Sequence, residues 1–100
     1  GFRRSIEEWW VMENMPLLEF RDGVSGRRAG VRSGPDVWEV ELVAREYDHN
    51  AERVEEHFGG VVSKEAIEQA FGYVEKFAET IETQIRENER IEQLLGGRED

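Results

Sequence analysis

The spacing of hydrophobic residues changes several times along the chain, and each change predicts a different element. Near the N terminus, Ser5 and Glu8 have the spacing of a capping box, and the apolar run Trp9–Met12 follows directly. Pro16 cannot continue a helix, because proline lacks the backbone N–H that the next turn needs. The pattern therefore predicts a short N-terminal helix within residues 1–16.

Alternation of apolar and charged residues replaces the helical spacing over residues 17–33. Leu18 and Phe20 alternate with charged neighbours, as do Ala29 and Val31 after a stretch that contains turn residues. This alternation is typical of two half-buried strands and predicts a β-hairpin. Since an isolated hairpin is only marginally stable, we expect it to pack on the helices or to pair with a second copy of the chain.

A second helix is predicted from Asp36, which has Glu39 three residues after it as an N-terminal capping signal. The helix is expected to end near Tyr47. Its predicted buried stripe consists of Val37, Val40 and Val43.

Helical spacing resumes after Asn50, which is a favourable N-terminal cap for a third helix. This helix is short, because Gly59-Gly60 ends it. Ser63 then caps the last segment, in which apolar positions alternate by four and three up to Leu95. This pattern predicts a long C-terminal helix, or two helices broken near Phe77. A glycine inside it, Gly72, suggests that another backbone passes close to the helix.

Together these elements predict a mainly α fold in a single domain over residues 1–100. The N-terminal helix occupies residues 1–16 and the β-hairpin residues 17–33. Residues 34–95 form a three-helix helix-turn-helix core with the long C-terminal helix.

Composition narrows the class of protein but does not identify it. Thirteen basic residues against 23 acidic residues give a net charge of -10, and 38% of the residues are hydrophobic. These values favour a folded acidic domain over a disordered acidic tail. The absence of cysteine and of any long apolar run predicts a cytoplasmic protein with no membrane segment.

No arrangement of residues points to catalysis. The two histidines, His49 and His57, are paired by spacing with neither a nucleophile nor a metal-binding motif, so we expect them at the surface. The sequence predicts no catalytic residue, no metal and no cofactor, and an enzyme is the least favoured class.

A helix-turn-helix spacing raises the possibility of DNA binding. The candidate nucleic-acid contacts are basic or polar residues of the hairpin and of the last segment: Arg21, Arg27, Arg28, Arg32, Lys64 and Gln69. Two observations leave this open. The half from Ala51 onward is strongly acidic and opposes a duplex, and the hairpin arginines have many carboxylates of the same chain, or of a second copy, with which to pair.

A homodimer is expected because the chain has more large apolar residues than a small core holds. The candidate dimer or partner interface combines the three tryptophans with the later part of the last segment: Trp9, Trp10, Trp38, Phe77, Ile81, Ile85 and Asn88.

Several short motifs resemble a bacterial helix-turn-helix family, the domain of unknown function 433. They are Gly26-Arg27-Arg28-Ala29, Gly34-Pro35-Asp36-Val37-Trp38-Glu39-Val40 and Ser63-x-Glu65-x-Ile67-x-x-Ala70-Phe71-x-Tyr73. The likeness covers about three quarters of the chain. It departs from the family at Phe77, where members often carry a histidine.

The resemblance implies an antitoxin of a toxin-antitoxin system. Such a protein is a homodimer that neutralises a PIN-like ribonuclease toxin encoded by an adjacent gene and represses its own operon. Acidic residues of the last segment would then cover the basic surface of the toxin, or Arg27 or Arg28 would enter its carboxylate site. The alternatives are a DNA-binding transcriptional regulator without a toxin, and a structural dimerisation module. The acidic residues that would cover the basic surface of the toxin are Glu75, Glu79, Glu82, Glu87, Glu89 and Glu92.

Overall fold

Five helices and one hairpin form the fold in a computed structural model that describes residues 6–23 and 26–96. In chain order the elements are α1 (Ile6–Asn14), β1 (Leu18–Gly23), β2 (Gly26–Val31), α2 (Val37–Glu46), α3 (Ala51–His57), α4 (Lys64–Lys76) and α5 (Ala78–Gly96). The mainly helical class and the antiparallel hairpin are therefore confirmed. The predicted cap Ser5 lies outside the described residues.

The predicted starts of α2, α3 and α4 are confirmed by hydrogen bonds at their first turns. The Arg53 N–H donates to Asn50 Oδ1 (3.0 Å), the Ala66 N–H to Ser63 Oγ (3.1 Å) and the Asp36 N–H to Glu39 Oε1 (3.1 Å). Gly59 and Gly60 follow α3 with φ angles of 66° and 80°, a left-handed conformation that glycine adopts without strain. Local residue chemistry therefore sets these helix boundaries.

The last segment is two helices, α4 and α5, that are separated by Phe77. Phe77 has φ -124° and ψ 47°, outside the helical region, although its N–H still donates to the Tyr73 carbonyl (2.8 Å). Its ring packs on the Tyr73 ring with a centroid distance of 4.7 Å. Of the two arrangements that the spacing allows, the structure has the broken one.

The core lies between the inner face of the hairpin and helices α2 and α4. Its largest fully buried side chains include Tyr73, Leu18 and Ile67. The predicted stripe on α2 is correct at Val37 and Val40 but wrong at its third member, because Val43 is only half-buried. Glu41 and Ala44 take the inward positions instead.

A second prediction, that a backbone passes close to Gly72, is wrong. A Cβ at that position would first meet the terminal methyl of Met15, at 3.1 Å. A side chain from the segment between α1 and β1 therefore fills this space.

The hairpin register places two apolar pairs and the Asp22–Arg27 pair on one face, and Arg21 and Arg28 on the other. Leu18 pairs with Val31, and the next pair on the same face is Phe20 with Ala29. Arg21 lies opposite its counterpart on β2, Arg28. Within residues 6–23 and 26–96, no helix is both long enough and apolar enough to cross a membrane.

Candidate partner-binding surface

Arg21 and Arg28, two of the predicted nucleic-acid contacts, converge on one carboxylate. Asp36, at the start of α2, accepts a hydrogen bond from Arg21 Nη1 on Oδ1 (3.2 Å) and from the Arg28 Nε on Oδ2. The Trp38 indole N–H also donates to Oδ2 (3.1 Å). Asp36 is buried, so its charge is compensated by both guanidinium groups together.

Glycines in the hairpin make room for this arrangement. A Cβ on Gly30 would lie 2.5 Å from Arg21 Cζ, and a Cβ on Gly23 would overlap the Arg28 guanidinium. Arg21 also donates to the carbonyl of Gly34 (2.9 Å) and to Glu19 (2.8 Å). The two arginines are therefore enclosed by their own chain.

Arg27 and Arg32, the remaining hairpin arginines, are likewise paired within the chain. Arg27 donates to Glu8 (2.7 Å) and Asp22 (3.1 Å), and these hydrogen bonds raise the pKa of the Arg27 guanidinium above its ordinary value. Arg32 donates to the Pro16 carbonyl (2.8 Å). The pair with Glu8, a residue of α1, joins α1 to the hairpin.

Lys64 and Gln69, the two candidates on α4, have intrachain partners as well. Lys64 Nζ lies 3.3 Å from Glu52, whose carboxylate raises the pKa of the lysine. Gln69 Oε1 accepts the Leu17 N–H (2.8 Å) and so connects α4 to a residue 52 positions earlier. The four hairpin arginines therefore show the intrachain pairing that the sequence left as an alternative, Lys64 and Gln69 have intrachain partners as well, and nucleic-acid binding stays a prediction.

The predicted interface residues fall into three groups by exposure. Ile81 and Ile85 are 1% and 4% exposed, so they belong to the core of the single chain. Trp38, Phe77 and Asn88 are half-buried. Trp9 is 55% exposed on α1, and Trp10 is partly covered by the Lys76 ammonium, 4.6 Å from its ring.

A groove of about 540 Å³, which we call the acidic groove, lies along α4 and was not predicted from the sequence. Helix α4 supplies Glu68, Phe71, Gly72, Val74 and Glu75 to it. Glu41 and His49 form the opposite side. Three of the lining residues are therefore carboxylates, and the lining includes no lysine or arginine from the part of the chain that the structure describes.

His49 contacts residues on both sides of the acidic groove, Glu41 and Phe71. Its Nε2 lies 3.1 Å from both carboxylate oxygens of Glu41, and its ring meets the Phe71 ring edge-on at 5.5 Å. The Glu41 carboxylate also accepts from Arg45 Nε (2.8 Å), and Arg45 continues to Glu82 on α5. The two glutamates raise the pKa of the Arg45 guanidinium.

Glu68 and Glu75 are less closely paired than Glu41, although the Glu68 charge contributes to the raised pKa of Lys64, one turn earlier on α4. Both are exposed, and within residues 6–23 and 26–96 neither forms an ion pair. Phe71, Gly72 and Glu75 follow Glu68 by three, four and seven positions, and this spacing was the available sequence signal, since it places all four on one side of a helix. This signal did not reveal the acidic groove, because the opposite side includes His49, which lies in a turn where helical spacing does not apply.

Within those described ranges, no group of three or more potential metal ligands has an arrangement suited to a metal ion. No family model, curated protein or solved structure matches the chain. The resemblance to the domain of unknown function 433 family therefore depends on the short motifs alone and stays a prediction. Among the described residues, the acidic groove is lined by three carboxylates.

Proposed function

We propose that the chain is an antitoxin-like binding module that neutralises a PIN-like ribonuclease encoded by an adjacent gene. One observation carries the proposal: the hairpin arginines are paired inside the chain, whereas Glu68 and Glu75 beside the acidic groove are not. The chain therefore offers a partner mainly negative charge. A ribonuclease that binds RNA on a basic surface is complementary to it.

The charge on α5 supports the same proposal. Glu79, Glu87, Glu89 and Glu92 are exposed, and Glu82 pairs with Arg45. The exposed Arg86 and Arg90 lie among them, so α5 carries five glutamates and two arginines and is negative on balance. A net charge of one sign attracts an oppositely charged protein from a distance and speeds association at low salt.

Inhibition by insertion of an arginine into the toxin is the less favoured mode. Arg28 is engaged by the buried Asp36, and Arg27 is held by Glu8. Either arginine would have to leave its carboxylate before entering another site, and a carboxylate buried without its partner is costly. Coverage by the acidic surface requires no such change.

Co-expression with the product of the adjacent gene tests the proposed function. The expected result is a complex that survives purification and restores growth of cells that produce the neighbour alone. The proposal is wrong if the two chains purify separately and the neighbour is equally toxic with and without this chain.

A second candidate, a DNA reader, is favoured by the order of α3 and α4. A seven-residue helix, a short connection and a 13-residue helix have the lengths of a helix-turn-helix. At the start of α4, however, Lys64 is paired with Glu52 and lies beside Glu65. A salt-dependent gel shift of duplex DNA would support this candidate, and its absence at low salt would remove it.

We also propose that the module is a homodimer, because α1 exposes apolar residues. Ile6 is 86% exposed, and Trp9 and Met12 are exposed as well. Burial of such a surface against a second copy removes it from water. A mass of 11.7 kDa in solution at micromolar concentration would contradict the dimer.

A further inference from the structure

One side of α4 lies outside the core of the chain. Glu68, Gly72 and Glu75 lie on the side of the helix opposite its buried residues, since 3.6 residues make one turn. Phe71 lies next to them and is half-buried. Among the described residues, Glu41 of α2, His49 in the turn after α2 and the Met15 side chain flank this side.

The wall of the acidic groove is built at a conformational cost. Asp48 and His49 both have left-handed backbones, with φ angles of 56° and 58°, which residues with a Cβ seldom adopt. The His49 N–H donates to the Ala44 carbonyl (2.7 Å), and this bond holds the turn against α2. This turn brings the His49 ring within 5.5 Å of the Phe71 ring.

Charge and shape in the acidic groove are arranged in a defined order. An aromatic ring and a glycine lie between two carboxylates, Glu68 and Glu75, which are seven residues apart. At 1.5 Å per residue, the two carboxylates are about 10 Å apart along the helix axis. Gly72 has no side chain, and the terminal methyl of Met15 lies beside it.

We infer that the acidic groove binds a helix of the protein partner that carries two basic residues seven positions apart, with an apolar residue midway between them. The two cations pair with Glu68 and Glu75, and the apolar side chain packs on the half-buried Phe71 between them. A helix is the element that repeats the 10 Å spacing, because its own residues seven apart lie on one side two turns apart. The inference rests on the proposed protein partner and adds the element that the partner contributes.

The test uses a synthetic helical peptide with two arginines seven residues apart and a leucine midway. It is titrated into the full ¹⁵N-labelled chain and followed by NMR. We expect shifts confined to the amides of 68–75 and of His49. The same peptide with glutamine in place of both arginines is the control and should produce none. Absence of shifts, or equal shifts along α5, would overturn the inference.

Two double variants make the test specific to the acidic groove. Glu68→Gln/Glu75→Gln should weaken the peptide about tenfold, as two exposed ion pairs allow. Glu87→Gln/Glu89→Gln removes the same charge from exposed positions on α5 and should change affinity less than about twofold. Equal weakening by both variants means that only net charge matters, and the inference then fails.

The same variants separate this inference from the proposed function. If the adjacent-gene product binds the chain but Glu68→Gln/Glu75→Gln does not weaken it, the inference is wrong and the function stands. If the peptide binds as expected but the adjacent-gene product does not, the proposed function is wrong. Shifts of the 68–75 amides with concentration of the chain alone identify a second copy as the occupant and overturn the inference.

Discussion

Asp36 shows how a single residue connects local and distant structure. Its side chain accepts from Arg21, Arg28 and Trp38, while its backbone begins α2. Arg21 and Arg28 lie opposite each other on the hairpin, where two like charges repel unless an anion lies between them. Asp36 supplies that anion and joins the hairpin to the helical core.

Replacement of Asp36 by asparagine should therefore lower the free energy of unfolding by about 2–4 kcal/mol, because two enclosed guanidinium groups lose their common anion. Chemical denaturation measures this change. Asp22→Asn is the matched control, since Asp22 is exposed and pairs only with Arg27 among the described residues. The control should leave the midpoint unchanged, and an equal loss in both variants would contradict the central position given to Asp36.

Tyr73 links stability to alkaline pH. Burial is the main reason that its pKa lies above the ordinary value near 10, and the hydrogen bond to Glu7 (2.9 Å) raises the pKa further. The folded state thus favours the neutral phenol. This stabilisation is complete below the unfolded pKa and is lost as the pH rises from about 10 towards the folded pKa.

The Tyr73→Phe variant should lose about 1 kcal/mol at neutral pH with the hydrogen bond to Glu7. Above pH 10 its stability should fall less with pH than that of the parent chain, because no phenol remains to ionise. Urea unfolding at a series of pH values measures both effects. Parallel pH profiles for the two chains would contradict the assignment.

The sequence predicted residue roles where the partner is close in the chain. Asn50 and Ser63 cap the helices that they precede, and each needs a backbone N–H only three positions away. The partners of Arg27 and Gln69 lie 19 and 52 positions away, where spacing alone gives no information. The hydrogen bond from the Leu17 N–H to Gln69 is therefore visible only in the structure.

At the scale of elements, α5 has two dissimilar halves. Ile81 and Ile85 anchor its first half in the core, whereas residues 89–94 are exposed. The exposed half buries little apolar surface within one chain and therefore contributes little hydrophobic stabilisation. It extends the acidic surface instead.

Truncation after Asn88 should therefore change the free energy of unfolding by less than about 0.5 kcal/mol, because only exposed side chains of the described part of α5 are removed. Urea denaturation of the shortened chain checks this expectation. Truncation after Lys76, which also removes Ile81 and Ile85, should unfold the chain and serves as the contrast. A large loss in the first variant would mean that a second copy covers the end of α5.

Sequence patterns identified the elements better than their orientation. The rotation of α2 was mispredicted because valine was taken as the inward residue at every turn, yet Glu41 is buried. A buried carboxylate is stable there only because Arg45 and His49 meet it, and the His49 ring reaches Glu41 through a left-handed turn. The side of the acidic groove formed by Glu41 and His49 was not predicted either, because the contact between these two residues depends on that turn.

At the scale of the whole molecule, the two signs of charge are used differently. The chain has 23 acidic and 13 basic residues, and the hairpin arginines stabilise the fold through ion pairs with Glu8, Glu19 and Asp36. Helices α4 and α5 together carry eight carboxylates and four basic residues, so they contribute -4 to the net charge of -10. The net charge was predictable from composition, but its distribution depends on contacts between distant residues.

The salt dependence of the complex with the adjacent-gene product tests the central claim, that the acidic surface binds a basic partner. We expect Kd, measured from about 50 to 500 mM NaCl, to rise steeply with salt, since exposed charges are screened over a Debye length of about 10 Å at 0.1 M. Glu68→Gln/Glu75→Gln should flatten that rise. A complex whose Kd is independent of salt, or no complex at the lowest salt, would contradict the account.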